Sequence, residues 1–348
     1  MNLGCFAANF AARNDRNLDL FEREFLPMKR LSFLAILLGP ILFVLLLQMV
    51  DLPAAWNLLK QAQPLWVAAS FLFLAPEIFL KAWRITALAR TFHSKLTVKQ
   101  STALYLAGQP LAAVTPAKLG DIVRVLGIGR WGNLKPHSAF AVHVADKVYD
   151  LLALGLLAAT GLVTYIVQTQ FQGPAVAALA GIGLGIVLMA LFLNPQWMRT
   201  LIKPLLLLLA PKKLAEQLSA HGREFYQNLL HLFQPASHLI LPFALSLAAW
   251  ITVWVRAYFC ALALGLPISF LFIAMMLPVV VVIEFIPITI LGFGTREASL
   301  FLFFASTHVD RSGLLSFSLM MVLAGPLGTA LMGIPFAMRL THNVGTKP

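Results

Sequence analysis

The chain has 348 residues, of which 59% are hydrophobic and only 11% are charged. Soluble globular chains carry about 25% charged residues, so this composition excludes a soluble enzyme and indicates a protein that resides in a lipid bilayer. The 26 basic residues outnumber the 14 acidic residues, which in a membrane protein is typical of cytoplasmic loops. We therefore expect no nucleic-acid partner.

The N-terminal region divides into two parts with different character. Residues 1–27 are polar and mixed in charge, whereas Met28 begins a short basic stretch that leads into an apolar run. This order is typical of a protein start followed by a first membrane helix. We predict that residues 1–27 are a disordered tail or precede the true start, and that residues 28–348 form one integral membrane domain.

Eight apolar segments have about the length of a membrane span, which requires roughly 20 residues. They predict an all-α fold: a polytopic membrane helix bundle of about eight spans with two broken or re-entrant segments. The seventh segment is short for a full crossing, and residues 84–137 are neither clearly soluble nor clearly spanning. The predicted spans are 31–50, 64–83, 138–167, 174–194, 239–264, 268–286, 296–309 and 313–338.

The basic residues predict the orientation of these segments. If all eight cross, 21 of the 26 Lys and Arg residues lie on the side of the N-terminus and two lie on the other side. Because cytoplasmic loops carry the excess of Lys and Arg, both termini are predicted to be cytoplasmic. We expect a multi-pass protein of the bacterial cytoplasmic (inner) membrane.

The first broken segment is GQPLAAVTPAKLGDIVR, residues 108–124. Thr115 can cap a helix whose first residue is Pro116, a position that suits proline. The N–H groups at such a helix start can bind a phosphate, although the segment could equally be a surface helix in a cytoplasmic loop. The candidate substrate-binding residues of this segment are Pro116, Lys118, Gly120, Asp121 and Arg124.

The second broken segment is PITILGFGTREASL, residues 287–300. Its glycines let the backbone approach a ligand closely, and the residue after them can cap a new helix; the alternative is a tight turn between helices. Interrupted segments at corresponding places of two halves point to a transport site. The candidate substrate-binding residues of this segment are Gly292, Gly294, Thr295, Arg296 and Glu297.

Several charged residues lie within or beside the predicted spans. Asp146, Lys147 and Asp150 are close to the start of one span, where the two acids share a helix face and Lys147 can pair with Asp150. Charges at membrane depth usually pair or line a pathway. We therefore take these three residues as substrate-binding candidates, with structural pairing as the alternative.

A second group of charges lies at the end of the second span. Glu77 and Lys81 are four residues apart and are predicted to pair, with Arg84 one turn further on. Lys81 and Arg84 could also extend their charged ends toward the membrane surface. Arg256 and Glu284 have no obvious partner nearby in the sequence.

The order of these motifs resembles the integral membrane region of lysylphosphatidylglycerol synthases, the flippase-like domain family, which also occurs without the synthase domain. The resemblance covers roughly residues 31–340. It begins with KAWRITALAR at 81–90 and continues through two glycine-containing segments and an acid-base pair. The matching residues are Gly108, Pro116, Gly120, Asp121, Arg124, Asp146, Lys147, Asp150, Gly292, Gly294, Arg296 and Glu297.

The sequence departs from the family pattern in three respects. The family commonly has an Asn shortly before the Pro of the first motif, and this sequence has none at Leu111–Thr115. The family's Glu-Arg pair is Asp146-Lys147 here, and lysine lacks the fork of donors with which arginine binds phosphate. The 348 residues also contain nothing that resembles the domain that transfers lysine from aminoacyl-tRNA. The resemblance therefore implies a lipid substrate but not lysyl-lipid synthesis.

The leading hypothesis is a lipid transporter with no catalytic residues, cofactor or metal. No ATP-binding loop is present in the sequence, so transport would be downhill or ion-coupled. The expected partner is a phospholipid, a hopanoid or a polyprenol-linked lipid, while a second copy or lipid-pathway enzymes remain open. The headgroup phosphate is expected at Arg124, Arg296 and the helix starts at Pro116 and Thr295. The acids expected to orient the arginines, or to meet a cationic headgroup, are Asp121, Asp146, Asp150 and Glu297.

Two other functions stay open. The first is a membrane glycosyltransferase that acts on polyprenol-phosphate sugars, although the predicted external loops are short and carry few acids. The second is a non-catalytic scaffold of a lipid pathway, in which the charge pairs serve folding alone.

Overall fold

The computed structural model describes residues 43–114, 122–169, 224–234, 237–284 and 292–345, together with positions 176, 179 and 181–183. Every regular element in these ranges is helical, which confirms the predicted all-α class. The tail predicted for residues 1–27 lies outside the described residues, as do most of the first and fourth predicted spans.

The described helices follow one another without strands between them. A π-helical turn, Leu323–Leu327, joins the last two helices into one continuous element. In chain order the helices are α1 Leu52–Lys60, α2 Pro64–Leu72, α3 Leu74–Arg90, α4 Val98–Val114, α5 Ile122–Gly132, α6 Pro136–Thr169, α7 Ser237–Ala263, α8 Phe270–Glu284, α9 Thr295–Phe303, α10 Arg311–Val322 and α11 Gly328–Gly345.

Several of these helices are suited to a bilayer. Among the described residues, four continuous helical stretches are long and apolar enough to cross a membrane, and α8 is a shorter apolar helix. These elements coincide with five of the predicted spans. The four long stretches are Pro64–Arg90, Pro136–Val167, Leu239–Ala263 and Arg311–Arg339.

The seventh predicted span, 296–309, was wrong as a crossing. The nine-residue helix α9 ends at Phe303, and a short 3-10 turn follows at Ala305–Thr307. At 1.5 Å per residue α9 is roughly 13 Å long, whereas the hydrocarbon core is about 30 Å thick. Helix α9 cannot cross a membrane by itself.

Local sequence explains where several helices begin. Asp51 and Asp310 precede α1 and α10, and each carboxylate accepts the backbone N–H three residues further on, at 3.0 and 3.1 Å. The turn at Phe73 that separates α2 from α3 lies just before Pro76. Proline has no N–H to donate to the carbonyl of Leu72, so the regular pattern is interrupted there.

The buried apolar side chains form two main clusters. One joins α8, α9 and α10 to the later parts of α6 and α7, with Phe303, Phe304 and Phe317 among its largest members. The other joins α3, α4 and α5 to the early part of α6. Because α6 contributes to both clusters, it packs against the helices of both.

Candidate functional site

Arg84 of α3 is the centre of a buried ion-pair cluster. The side chain is 2% exposed, and its Nε atom donates to Oδ1 of Asp146 at 2.7 Å. Its Nη1 atom donates to Oδ1 of Asp150 at 2.9 Å and to Oγ of Ser246 at 2.6 Å. One guanidinium from α3 therefore bonds to both acids of α6 and also reaches α7.

This arrangement corrects the sequence expectations for Arg84. Arg84 does not extend to the membrane surface and does not belong to a loop, because it lies within the stretch Pro64–Arg90 and is buried. Asp146 and Asp150 share a helix face, as predicted, and both bond to Arg84, while Lys147 between them is half-buried and interacts electrostatically with Asp150. Arg84 is thus a partner that local spacing did not reveal.

Glu77 connects α3 to two further cations. Lys81 Nζ lies 2.7 Å from Glu77 Oε1, which confirms the predicted pair. The other carboxylate oxygen, Oε2, lies 3.2 Å from Nη2 of Arg256 on α7. Arg256 Nη1 also donates to the Ala324 carbonyl at 2.9 Å, within the π-helical turn. Arg256 therefore links three spanning stretches.

These charges form one continuous series, which we call the buried charge column. Lys81 connects its two parts, since it interacts electrostatically with Asp150 and lies 5.8 Å from the centre of the Trp250 ring. Three bases alternate with three acids, so the column is neutral, as charges at membrane depth generally require. The column consists of Arg256, Glu77, Lys81, Asp150, Arg84 and Asp146.

Arg124 lies in the first turn of α5 and is the last residue of the first broken segment. It is 1% exposed, and its guanidinium carbon is 4.6 Å from the centre of the Tyr105 ring. A Cβ atom added to Gly108 would lie 3.6 Å from Arg124 Nη2, so α4 passes close to the guanidinium. The other predicted residues of this segment lie outside the described residues: Pro116, Lys118, Gly120 and Asp121.

The second broken segment contains an arginine-carboxylate pair at the start of α9. Arg296 donates from Nε to Oε2 of Glu284 at 3.0 Å and from Nη2 to Oε1 of the same carboxylate. Gly292 has a φ of 77°, and a Cβ atom there would lie within 2.7 Å of the Glu284 carboxylate. The absence of a side chain at Gly292 thus makes space for Glu284. Sequence spacing did not identify Glu284 as the partner of Arg296.

Glu297 hydrogen-bonds to the backbone at the start of its own helix. Its Oε2 atom accepts the N–H of Gly294 at 2.6 Å, and its Oε1 atom accepts a hydrogen bond from the Ser318 hydroxyl of α10. The capping position belongs to Gly294, with a φ of 90°, and not to Thr295, which donates to the Gly292 carbonyl instead. Glu297 therefore has a fixed role at the helix start in this structure.

A matched pair of variants tests the contribution of the two hydrogen bonds of Glu297 to stability. Glu297→Ala removes the cap and leaves Ser318 without its acceptor, which should destabilise the protein by about 2–3 kcal/mol. Glu297→Gln can keep both contacts, because its carbonyl can accept the Gly294 N–H and its amide can donate to the Ser318 hydroxyl. Its loss of stability should therefore be less than half that of Glu297→Ala. Thermal unfolding in neutral detergent measures the difference, and equal melting temperatures for the two variants would contradict this role.

These features define a polytopic α-helical membrane protein with paired charges inside its helix bundle. Residues 32–333 match the family described as "Lysylphosphatidylglycerol synthase TM region", and the chain belongs to this family, as the motif order predicted. A "UPF0104 membrane protein" from Methanothermobacter thermautotrophicus belongs to the same family and is 22% identical over 305 residues, which cover 82% of this chain and 88% of that protein. No solved structure gives a significant match to the chain.

Proposed function

We propose that the protein is a lipid transporter of the flippase type, which moves a phospholipid or a lipid-linked headgroup across the inner membrane. The observation that carries this proposal is the burial of Arg124 beside an interrupted segment in a membrane protein. Such interruptions are tolerated at membrane depth where they are enclosed by protein or line a cavity.

Arg124 has the chemistry of a headgroup ligand. Arg124 lies on a different helix from the column, α5, and its guanidinium carbon lies 4.6 Å from the centre of the Tyr105 ring. The face of an aromatic ring attracts a cation, while oxyanions bind to the N–H groups of a guanidinium. Tyr105 can therefore hold the guanidinium in place while N–H groups of Arg124 bind a phosphate.

The neighbouring positions support a site for a polar headgroup whose tails stay in the bilayer. Gly108 has no side chain, so the backbone of α4 can pass close to Nη2 of Arg124. The predicted helix start at Pro116, together with Lys118, Gly120 and Asp121, would complete the site. Arg296 at the second broken segment is the second proposed phosphate ligand.

Transport by the reconstituted protein tests the role of Arg124. In liposomes with a fluorescent phosphatidylglycerol, the wild-type protein should bring label from the inner leaflet within reach of an external quencher. Losing a charge-assisted contact costs about 1.5–3 kcal/mol, so Arg124→Gln should slow this exchange by about tenfold or more. Arg130→Gln is the matched control, because Arg130 is on the same helix but exposed, and its rate should stay within about twofold of wild type.

The alternatives predict different outcomes in the same preparations. A scaffold would not raise the rate of lipid exchange above that of empty liposomes. Arg124→Gln and Arg130→Gln would then give equal rates at normal protein levels. A glycosyltransferase would instead transfer sugar from a labelled polyprenol-phosphate sugar to an acceptor. Exchange that is unaffected by Arg124→Gln would remove Arg124 from the proposed site.

A further inference from the structure

We propose that Glu284 is an intramolecular competitor of the substrate phosphate: its carboxylate occupies the edge of Arg296 where a phosphate headgroup binds, and it leaves when the lipid arrives. This inference rests on the proposed function, since it assigns the state of the second phosphate ligand before substrate binds.

The contact between the two side chains has the geometry of an oxyanion site. Nε and Nη2 of Arg296 each donate to a different oxygen of the Glu284 carboxylate. A phosphate presents two oxygens to the same guanidinium edge in the same two-donor arrangement. The carboxylate is therefore a chemical stand-in for a phosphate at these two nitrogen atoms.

Glu284 is placed where it can leave, whereas Glu297 is not. The Glu284 side chain is 22% exposed and belongs to the last residue of α8. Glu297 is fully buried and is fixed by bonds to Gly294 and Ser318. The missing side chain at Gly292 is what admits the Glu284 carboxylate next to Arg296, so its departure opens space beside the guanidinium.

Charge balance explains why such a competitor is useful inside a membrane protein. Arg296 is 5% exposed, and a buried cation without an anion is strongly unfavourable. Glu284 supplies that anion when no substrate is present. Exchange of a carboxylate for a phosphate keeps the cation neutralised throughout, so substrate can enter and leave without exposing a bare charge to the bilayer.

Equilibrium binding tests the competition independently of transport. The purified full-length protein in neutral detergent is titrated with dihexanoyl phosphatidic acid, and dihexanoylglycerol serves as a probe without the phosphate. Removal of a coupled competitor should tighten binding, so we expect Glu284→Gln to lower the Kd for the phosphatidic acid at least about fivefold. Arg296→Gln should weaken binding by a comparable or larger factor.

The double variant makes the test specific to this pair. If Glu284 acts through Arg296, Glu284→Gln should have no effect in the Arg296→Gln background. Asp310→Asn is the matched control for charge alone, since Asp310 is an exposed acid at the start of another helix, and its Kd should match wild type. A titration with inorganic phosphate separates the two sources of the ligand: equal tightening there assigns the site to free phosphate.

The outcomes also separate this inference from the proposed function. An unchanged or weaker Kd for Glu284→Gln, or the same tightening without Arg296, would overturn the competition, while transport that depends on Arg124 could still stand. Conversely, tightening by Glu284→Gln without any lipid exchange in liposomes would support the competition and remove the transport function.

Discussion

Replacing Arg84 by methionine is expected to destabilise the protein by about 3–5 kcal/mol, the usual cost of leaving a buried ion pair with one partner. Arg84 is the direct cation partner of Asp146 and also bonds to Asp150 and Ser246. Methionine can fill much of the space, so the loss would come mainly from two carboxylates left without their guanidinium. Thermal unfolding in detergent and the folded fraction after purification measure it.

Charge restoration distinguishes this explanation from a loss of packing. The double variant Arg84→Met, Asp146→Asn removes one base and one acid, so the buried charge column stays neutral, and it should recover at least half of the lost stability, because well-packed neutral groups often replace buried ion pairs without penalty. Arg90→Met is the matched control, since Arg90 is on the same helix but exposed. A double variant as unstable as Arg84→Met would show that packing, not charge, is decisive.

The sequence predicted the bundle better than it predicted the charge partners. Apolar length identified four long spanning stretches and α8, and the glycines at 292 and 294 indicated a turn that has positive φ at both positions. The i,i+4 spacing of Glu77 and Lys81 also predicted a real pair. These signals are local, so they could be taken from neighbouring residues.

The remaining pairs could not be predicted because they depend on how distant helices pack. Arg84 is 62 residues from Asp146 in the sequence, and Arg296 is 12 residues from Glu284, across a break. Periodicity shows which residues share one face of a helix. It does not show which face of another helix packs against them. The rule that charges inside a bilayer protein must balance implies an oppositely charged partner for Arg256 and another for Glu284. It does not identify either partner.

The second large effect is expected at a close backbone contact between α6 and α8. A Cβ atom at Gly161 would lie 2.0 Å from the backbone carbonyl oxygen of Met275. Gly161→Ala must therefore separate two helix backbones that currently touch, and overpacking of this kind costs about 1–3 kcal/mol. Small residues permit such close approach between membrane helices. A fall in thermal stability in detergent, with a smaller folded fraction, is the expected result.

Two other glycines show that the loss of stability on substitution by alanine depends on which atom lies next to the added Cβ. At Gly127 an added Cβ would also lie 2.0 Å from its nearest neighbour, but that neighbour is Cδ2 of Leu104, the end of a side chain that can shift. At Gly181 no atom of the described residues lies within 4 Å of the added Cβ. We expect the loss to decrease in the order Gly161→Ala, Gly127→Ala, Gly181→Ala, the last being neutral or slightly stabilising because alanine favours helix. If Gly161→Ala were as stable as Gly181→Ala, the close backbone contact between α6 and α8 would not exist in the membrane protein.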